Sequence, residues 1–329
     1  MCSAAHFLVD FACACLLFRR FQGDLGWAEL LVAYNLCAFA VQMPLGVLAD
    51  RWNRDLLLAA LGCALVGAAY LGLSAWPAAA LAGLGNAAFH VGAGLEVFNA
   101  AGRRAGPLGV FVSPGALGLY AGTLLEKSEL LPALAPPAAM VLAGACLLAA
   151  SRMSHDGWTT ENPAPDLPPL KETALPLLGL FAVVVLRSFV GMNLTFPWKG
   201  EGAWTLALTC ALALGKAAGG FLADRFGAEN TAAVSLALCA ILLLAGELPL
   251  CGTAAVLLFN MTMPLTLWAA ARLLPAARGF AFGLLTFGLF LGFLPSYFGP
   301  PALGGLAAAA WSLVSLAVLY PALRRAVKS

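Results

Sequence analysis

Charge is scarce in this sequence. Asp, Glu, Lys and Arg make up 10% of its residues, where a soluble domain has about 25%. That shortage, together with 62% hydrophobic residues and a mean hydropathy of +0.90, excludes an ordinary soluble fold and leaves a polytopic membrane protein. A net charge of +2 is too small to imply a nucleic-acid or other acidic partner, so none is expected. Paired cysteines are missing too: Cys13, Cys15, Cys37, Cys63, Cys146, Cys210 and Cys239 lie in apolar runs, and no two cysteines are three apart. They read as small buried hydrophobes, so no metal site and no cofactor are expected.

What is abundant is long apolar segments. A helix needs roughly 20 residues to cross about 30 Å of hydrocarbon. Twelve such segments can be counted, at 3–18, 27–49, 55–76, 77–100, 107–125, 131–151, 173–193, 203–223, 229–246, 248–271, 277–298 and 301–321. The first lacks a basic leader and carries Asp10 in its middle, so it is expected to be retained and not cleaved as a signal. Loops are short except for a polar, proline-rich stretch at 152–172 containing His155 and Asp156. The expected organisation is an N-terminal six-helix bundle (1–151), a linker (152–172) and a C-terminal six-helix bundle (173–329).

The two halves repeat each other. Gly46-Val47-Leu48-Ala49-Asp50-Arg51 returns 174 residues later as Gly220-Phe221-Leu222-Ala223-Asp224-Arg225. The same shift pairs Asn86 with Asn260, Arg104 with Arg278, Gly109 with Gly283 and Gly118 with Gly292. One constant offset over this distance requires equal helix and loop lengths, as in a parallel duplication. The glycines permit close helix approach in lipid. Asp50 and Asp224 fall at helix ends, where a carboxylate can accept bonds from backbone amides or pair with Arg51, Arg54 or Arg225.

Loop charges give an orientation. One side holds Arg51, Arg54, Arg103, Arg104, Arg152, Lys171, Arg225, Arg272, Arg278, Arg324, Arg325 and Lys328, and the other holds Arg19, Arg20, Lys127 and Lys199. By the positive-inside rule the first side is cytoplasmic, with both termini and both repeated motifs.

Twelve helices in two halves, with a doubled Gly-x-Leu-Ala-Asp-Arg signature after the second and eighth helices, resemble the major facilitator superfamily along essentially the whole chain. Departures are Asn53, where that family commonly has glycine, and Ala228, where a basic residue usually follows Gly227. The resemblance implies an all-α fold of two pseudo-symmetric bundles. It also implies a conformational latch of Gly46, Asp50, Arg51, Arg54, Gly220, Asp224 and Arg225, in which Asp50, Arg54 and Glu96 form a charge relay. A narrower likeness lies in His6 and Asp10, Gly85-Asn86-Ala87-Ala88-Phe89-His90, Gly102-Arg103-Arg104 and Gly115-Ala116-Leu117-Gly118, which are similar to the fosmidomycin-resistance type of drug exporter. It implies proton-coupled export across the inner membrane, although the glycine-rich fifth helix departs from the Gly-Pro order of antiporters.

Polar residues inside the membrane segments point to the site, since each charge there costs about 2.5–3.5 kcal/mol on insertion scales. His6 and Asp10 are four apart and share a helix face, as do Asn86 and His90. Asp10, His6 and His90 are therefore expected to carry protons. Glu96, six beyond His90, points elsewhere and is given to the latch. Asn86, Asn260, Arg187, Lys216, Tyr34 and Trp268 are expected to line the substrate cavity. Arg187 must snorkel, pair with a carboxylate such as Asp10, or bind an anionic ligand, and Lys216 can also snorkel.

The sequence thus reads as a monomeric secondary transporter of a small polar or anionic organic solute, without enzymatic activity, coupled to protons and exporting. Its partners are that solute, protons and the lipid bilayer. A proton-coupled importer is the main alternative, followed by a membrane-embedded enzyme or a lipid scramblase.

Overall fold

The computed structural model describes residues 1–22, 26–127, 132–153, 170–299 and 302–328. Most of the 152–172 linker, including His155 and Asp156, lies outside them. Among the described residues the elements are helices: α1 (Cys2–Arg20), α2 (Trp27–Asn35), a π turn (Leu36–Ala40), α3 (Gln42–Trp52), α4 (Asp55–Ala68), α5 (Ala75–Ala101), α6 (Gly106–Val112) and α7 (Pro114–Lys127). They continue with α8 (Ala135–Met153), α9 (Leu170–Asn193), α10 (Trp204–Phe226), α11 (Ala228–Leu244), α12 (Pro249–Asn260), α13 (Thr262–Leu273), α14 (Arg278–Phe293), a 3₁₀ turn (Leu294–Phe298) and α15 (Gly305–Lys328).

Ten helical spans among the described residues are long and apolar enough to cross a membrane. Two shorter apolar helices, Asp55–Ala68 and Ala228–Leu244, stand where the sequence places the third and ninth spans. Both follow a copy of the repeated motif directly, and their starts differ by nearly the repeat shift. The protein is an integral membrane protein with an all-α fold. Two boundaries differ from expectation. The third span stops at Ala68 and not near 76, because the chain turns through Gly72 at φ +81°. The twelfth runs on to Lys328 and carries Pro321 within it.

Proline accounts for the interruptions. It lacks an N–H and its ring crowds the carbonyl four residues back. Pro44 thus disturbs Ala40, at the end of the π turn; Pro114 disturbs Val110 and separates α6 from α7; Pro264 disturbs Asn260 and separates α12 from α13. Motif loops end differently in the two halves. After α3 the chain passes through Asn53 in the left-handed region at φ 50°, and after α10 through Gly227 at φ 87°. Asparagine tolerates that region better than most residues, which explains Asn53 at a position where glycine is usual.

The chain forms two compact units. Unit 1 comprises Met1–Ala100, Pro114–Pro165 and Ala276–Phe287; unit 2 comprises Ala101–Ser113, Asp166–Pro275 and Gly288–Ser329. The units follow the sequence halves except at two pieces: the start of α14 packs in unit 1, and the loop before α6 together with α6 packs in unit 2. In unit 1, α1 packs on α7 and α8, and α4 on α8. In unit 2, α10 packs on α6 and α12, while α15 packs on α9 and α11.

Backbone contacts at the exchanged pieces obey the repeat. A Cβ on Gly283 would strike Gln42 and Met43, and one on Gly109 would strike Lys216 and Ala217. A Cβ on Gly46 would strike Gly279 and Phe280, and one on Gly220 would strike Ala105 and Gly106. Each partner in one list is 174 residues from its counterpart in the other. Without a hydrophobic drive between helices in lipid, such glycine contacts supply the packing.

Candidate functional site

Asp10, His6 and His90 come together inside unit 1. His6 and Asp10 sit one turn apart on α1, with His6 Nε2 3.3 Å from Asp10 Oδ2. His90, on α5, brings its Nε2 to 2.9 Å from His6 Nε2 and 3.8 Å from Asp10 Oδ1. Asn86, one turn before His90, donates from Nδ2 to Asp10 Oδ1 at 3.1 Å. It therefore belongs to this cluster and orients the carboxylate. On the far side Gly115 of α7 faces His6 and Asp10, and any side chain there would collide with both. The signal for that role was present in the sequence only as a glycine in a glycine-rich helix.

Hydrogen-bond logic fixes the protons. His90 Nδ1 lies 2.9 Å from the Asn86 carbonyl, which only accepts, so Nδ1 carries a hydrogen. In neutral His90 the Nε2 is then a lone pair, and the proton between the two facing nitrogens belongs to His6. His6 is buried, and its two partners are half-buried: the His6 side chain is 7% exposed, that of His90 14% and that of Asp10 21%. One ligand atom from each of these three residues lies within 4.8 Å of the others, so the same group can also hold a metal ion, which the sequence did not suggest. Tyr34 is buried beside the Cys13 thiol at the edge of this cluster.

The repeated aspartates do not pair with the motif arginines. Asp50 accepts from the backbone N–H of Gly279 at 2.7 Å and of Phe280 at 2.9 Å, capping α14. Asp224 accepts from Ala105 N–H at 2.6 Å and Gly106 N–H at 2.9 Å, capping α6. Donors and acceptors in the two caps are related by the 174-residue shift. A carboxylate suits this position because the first amides of a helix have no partner within it and carry partial positive charge.

The expected relay of Asp50, Arg54 and Glu96 is corrected accordingly. Among the described residues Arg51 and Arg54 are exposed and form no ion pair with Asp50. The cation beside Asp50 is Arg278, the repeat mate of Arg104. Arg278 donates to Asn99 Oδ1 at 3.0 Å, and Asn99 donates to Asp55 Oδ2 at 2.9 Å. Glu96 is close to Asp55. Arg225 stacks over Phe226, 5.5 Å from the ring centre. Sequence reading missed Asn99, Asp55 and Arg278 because they are close only once α14 packs on α3 and α5.

The remaining residues expected at the cavity are dispersed. Arg187 is buried and donates to Thr266 Oγ1 at 3.4 Å, so it does not snorkel, and Asp10 lies against the two histidines. Lys216 reaches the Val112 carbonyl at 3.2 Å, at the break before Pro114, where Ser113 Oγ also bonds Ala213 O at 2.8 Å. Both contacts pin the interrupted helix to α10. Asn260 donates to the Val256 carbonyl of its own helix. Trp268 donates to the Arg103 carbonyl at 2.8 Å and stacks with Arg272, whose guanidinium is 5.2 Å from the ring centre. That places it at the helix end with the loop arginines. Gln42, the repeat mate of Lys216, is fully buried, and its Oε1 has no hydrogen-bond partner among the described residues.

No family model matches this sequence, and no curated protein is significantly similar to it. Solved structures are similar. The E. coli fucose:proton symporter FucP matches with a TM-score of 0.63 and 17% identity, covering 98% of this chain and 96% of that one. A structure described as a major facilitator superfamily transporter, FucP, in the outward conformation matches with a TM-score of 0.63 and 14% identity over 98% and 97% of the two chains. Similarity over nearly the full length of both molecules, with the two capped motifs in place, gives the chain the major facilitator fold.

Proposed function

We propose that this protein is a secondary active transporter that moves a small polar or anionic organic solute by alternating access, with protons as the coupling ion and export as the direction. The observation that carries the proposal is the Asp10–His6–His90 cluster. It is a carboxylate and two imidazoles buried in membrane-spanning helices, where a charge persists only with a partner or a task. Its hydrogen bonds join the carboxylate and both imidazoles into one group. The symmetric aspartate caps support alternating access, because each is a small set of charge-assisted bonds that can break as a unit. They stand on the face that loop charge assigns to the cytoplasm, with both termini.

Uptake is the second reading. One protein of the same fold is named a fucose:proton symporter, and the same cycle runs in either direction according to the gradients. Flux of a panel of organic acids, sugars and drugs through proteoliposomes, with the pH gradient imposed in each orientation, separates the two. Expulsion of solute against inward-directed protons supports export, and co-movement supports uptake. Flux indifferent to the gradient refutes proton coupling.

A further inference from the structure

A cleft lies between α9 and α15, wholly within unit 2. Its volume is about 610 Å³, in the range of small-molecule sites. One wall is a single face of α9, formed by Lys171, Glu172, Leu175, Leu178 and Ala182, and the other is formed by Val318, Ala322 and Arg325 of α15. Pro176 and Pro321, each inside its helix, face the cleft from opposite sides. The helices adjoin at Gly179, where a Cβ would stand 3.5 Å from Ala322 Cβ and 3.6 Å from Val318 Cγ1, an ordinary van der Waals contact.

The cleft is graded in polarity. α9 begins and α15 ends at the same face, so Lys171 and Arg325 stand together at one mouth, with Glu172 as the acid beside them. Loop charge assigns that mouth to the cytoplasmic surface. Away from it the lining is aliphatic, and Leu175 and Leu178 are 76% and 61% exposed along helices that cross the bilayer. Two cations at headgroup depth above an open aliphatic trough match an anion with a hydrocarbon tail, and cytoplasmic-side basic pockets between membrane helices bind anionic headgroups.

We propose that this cleft is a binding site for one anionic phospholipid of the cytoplasmic leaflet, its phosphate between Lys171 and Arg325 and an acyl chain along Leu175, Leu178 and Val318. The assignment rests on the chain lying in a bilayer and is independent of what it transports. Glu172 disfavours a second negative charge, so the site takes a headgroup with a single phosphate.

The test is native mass spectrometry of the full chain released from vesicles of phosphatidylcholine containing phosphatidylglycerol. The wild type should retain one phosphatidylglycerol in preference to phosphatidylcholine. The Lys171→Gln/Arg325→Gln variant should bind it about 30-fold more weakly, from the contribution of each cation near an anionic surface. Lys199→Gln, which removes a cation from the opposite end of the membrane segments, should change nothing, and Glu172→Gln should strengthen retention. Inorganic phosphate should not displace the lipid, because it cannot fill the aliphatic trough. Equal retention of the two lipids, unchanged binding in the double variant, or displacement by phosphate alone would overturn the proposal. These substitutions lie at exposed helix ends, so folding is preserved in each arm.

Discussion

Removing one aspartate cap should loosen one helix start and spare its symmetric counterpart. In Asp50→Ala, the amides of Gly279 and Phe280 lose their acceptors at 2.7 and 2.9 Å. Hydrogen bonds to a charged group contribute about 1.5–3 kcal/mol, and loss of an N-terminal cap costs about 0.5–2 kcal/mol. The two bonds share one carboxylate and are not additive, so about 2 kcal/mol is a reasonable loss for the pair, equivalent to about 30-fold in an opening equilibrium. Hydrogen exchange read by mass spectrometry measures this directly. Peptides containing Gly279 and Phe280 should exchange about 30-fold faster in Asp50→Ala, with those containing Ala105 and Gly106 unchanged. Asp224→Ala should show the opposite pattern. Asp50→Asn keeps one neutral acceptor and should fall between. Acceleration at both helix starts in either single variant, or at neither, would refute the reasoning.

Other residues carry equally specific expectations. Gly109→Leu and Gly283→Leu push a side chain into the backbone of Lys216 and Gln42 respectively, and each should lower stability by about 1–3 kcal/mol in a thermal unfolding assay; a neutral result at either position contradicts the close helix contact. Arg19 donates to the buried Glu126 carboxylate at 2.7 Å, so Arg19→Gln should destabilise by about 1–3 kcal/mol, and adding Glu126→Gln should recover most of it. If the double variant is no more stable than the single one, the pair is not what the substitution broke. Trp268→Phe loses the bond to the Arg103 carbonyl and keeps a ring for Arg272 to stack on, a loss of about 1 kcal/mol. It should leave the KM for transported solute unchanged, whereas a raised KM would return Trp268 to the cavity.

The sequence disclosed the scaffold better than the contacts within it. The all-helical membrane character and the places of the ten long spans were legible because membrane spans need long apolar runs, and the 174-residue shift was legible because polar matches such as Asp50 with Asp224 stand out against an apolar background. Pairings one helical turn apart were equally readable: His6 with Asp10, and Asn86 with His90, share faces by periodicity alone. What joins α1 to α5 has no periodic signal, so the convergence of the two imidazole nitrogens, and the metal-ligand set they form with Asp10, emerged only in three dimensions. The identity of the latch partners stayed open between backbone amides and arginines for a related reason. Asp50 accepts from backbone amides, which every residue possesses, so no sequence motif marks Gly279 and Phe280 as its donors. The bond from Trp268 to a loop carbonyl was not legible because an aromatic residue in an apolar run looks the same at mid-membrane as at the interface.

The most direct test of proton coupling compares two transport modes in proteoliposomes carrying Asp10→Asn. Exchange of solute for solute at equal pH needs no net proton movement, whereas accumulation driven by a pH gradient does. If Asp10 with His6 and His90 carries the coupling proton, the variant should keep exchange and lose gradient-driven accumulation. Accumulation at the wild-type rate in Asp10→Asn would contradict the account.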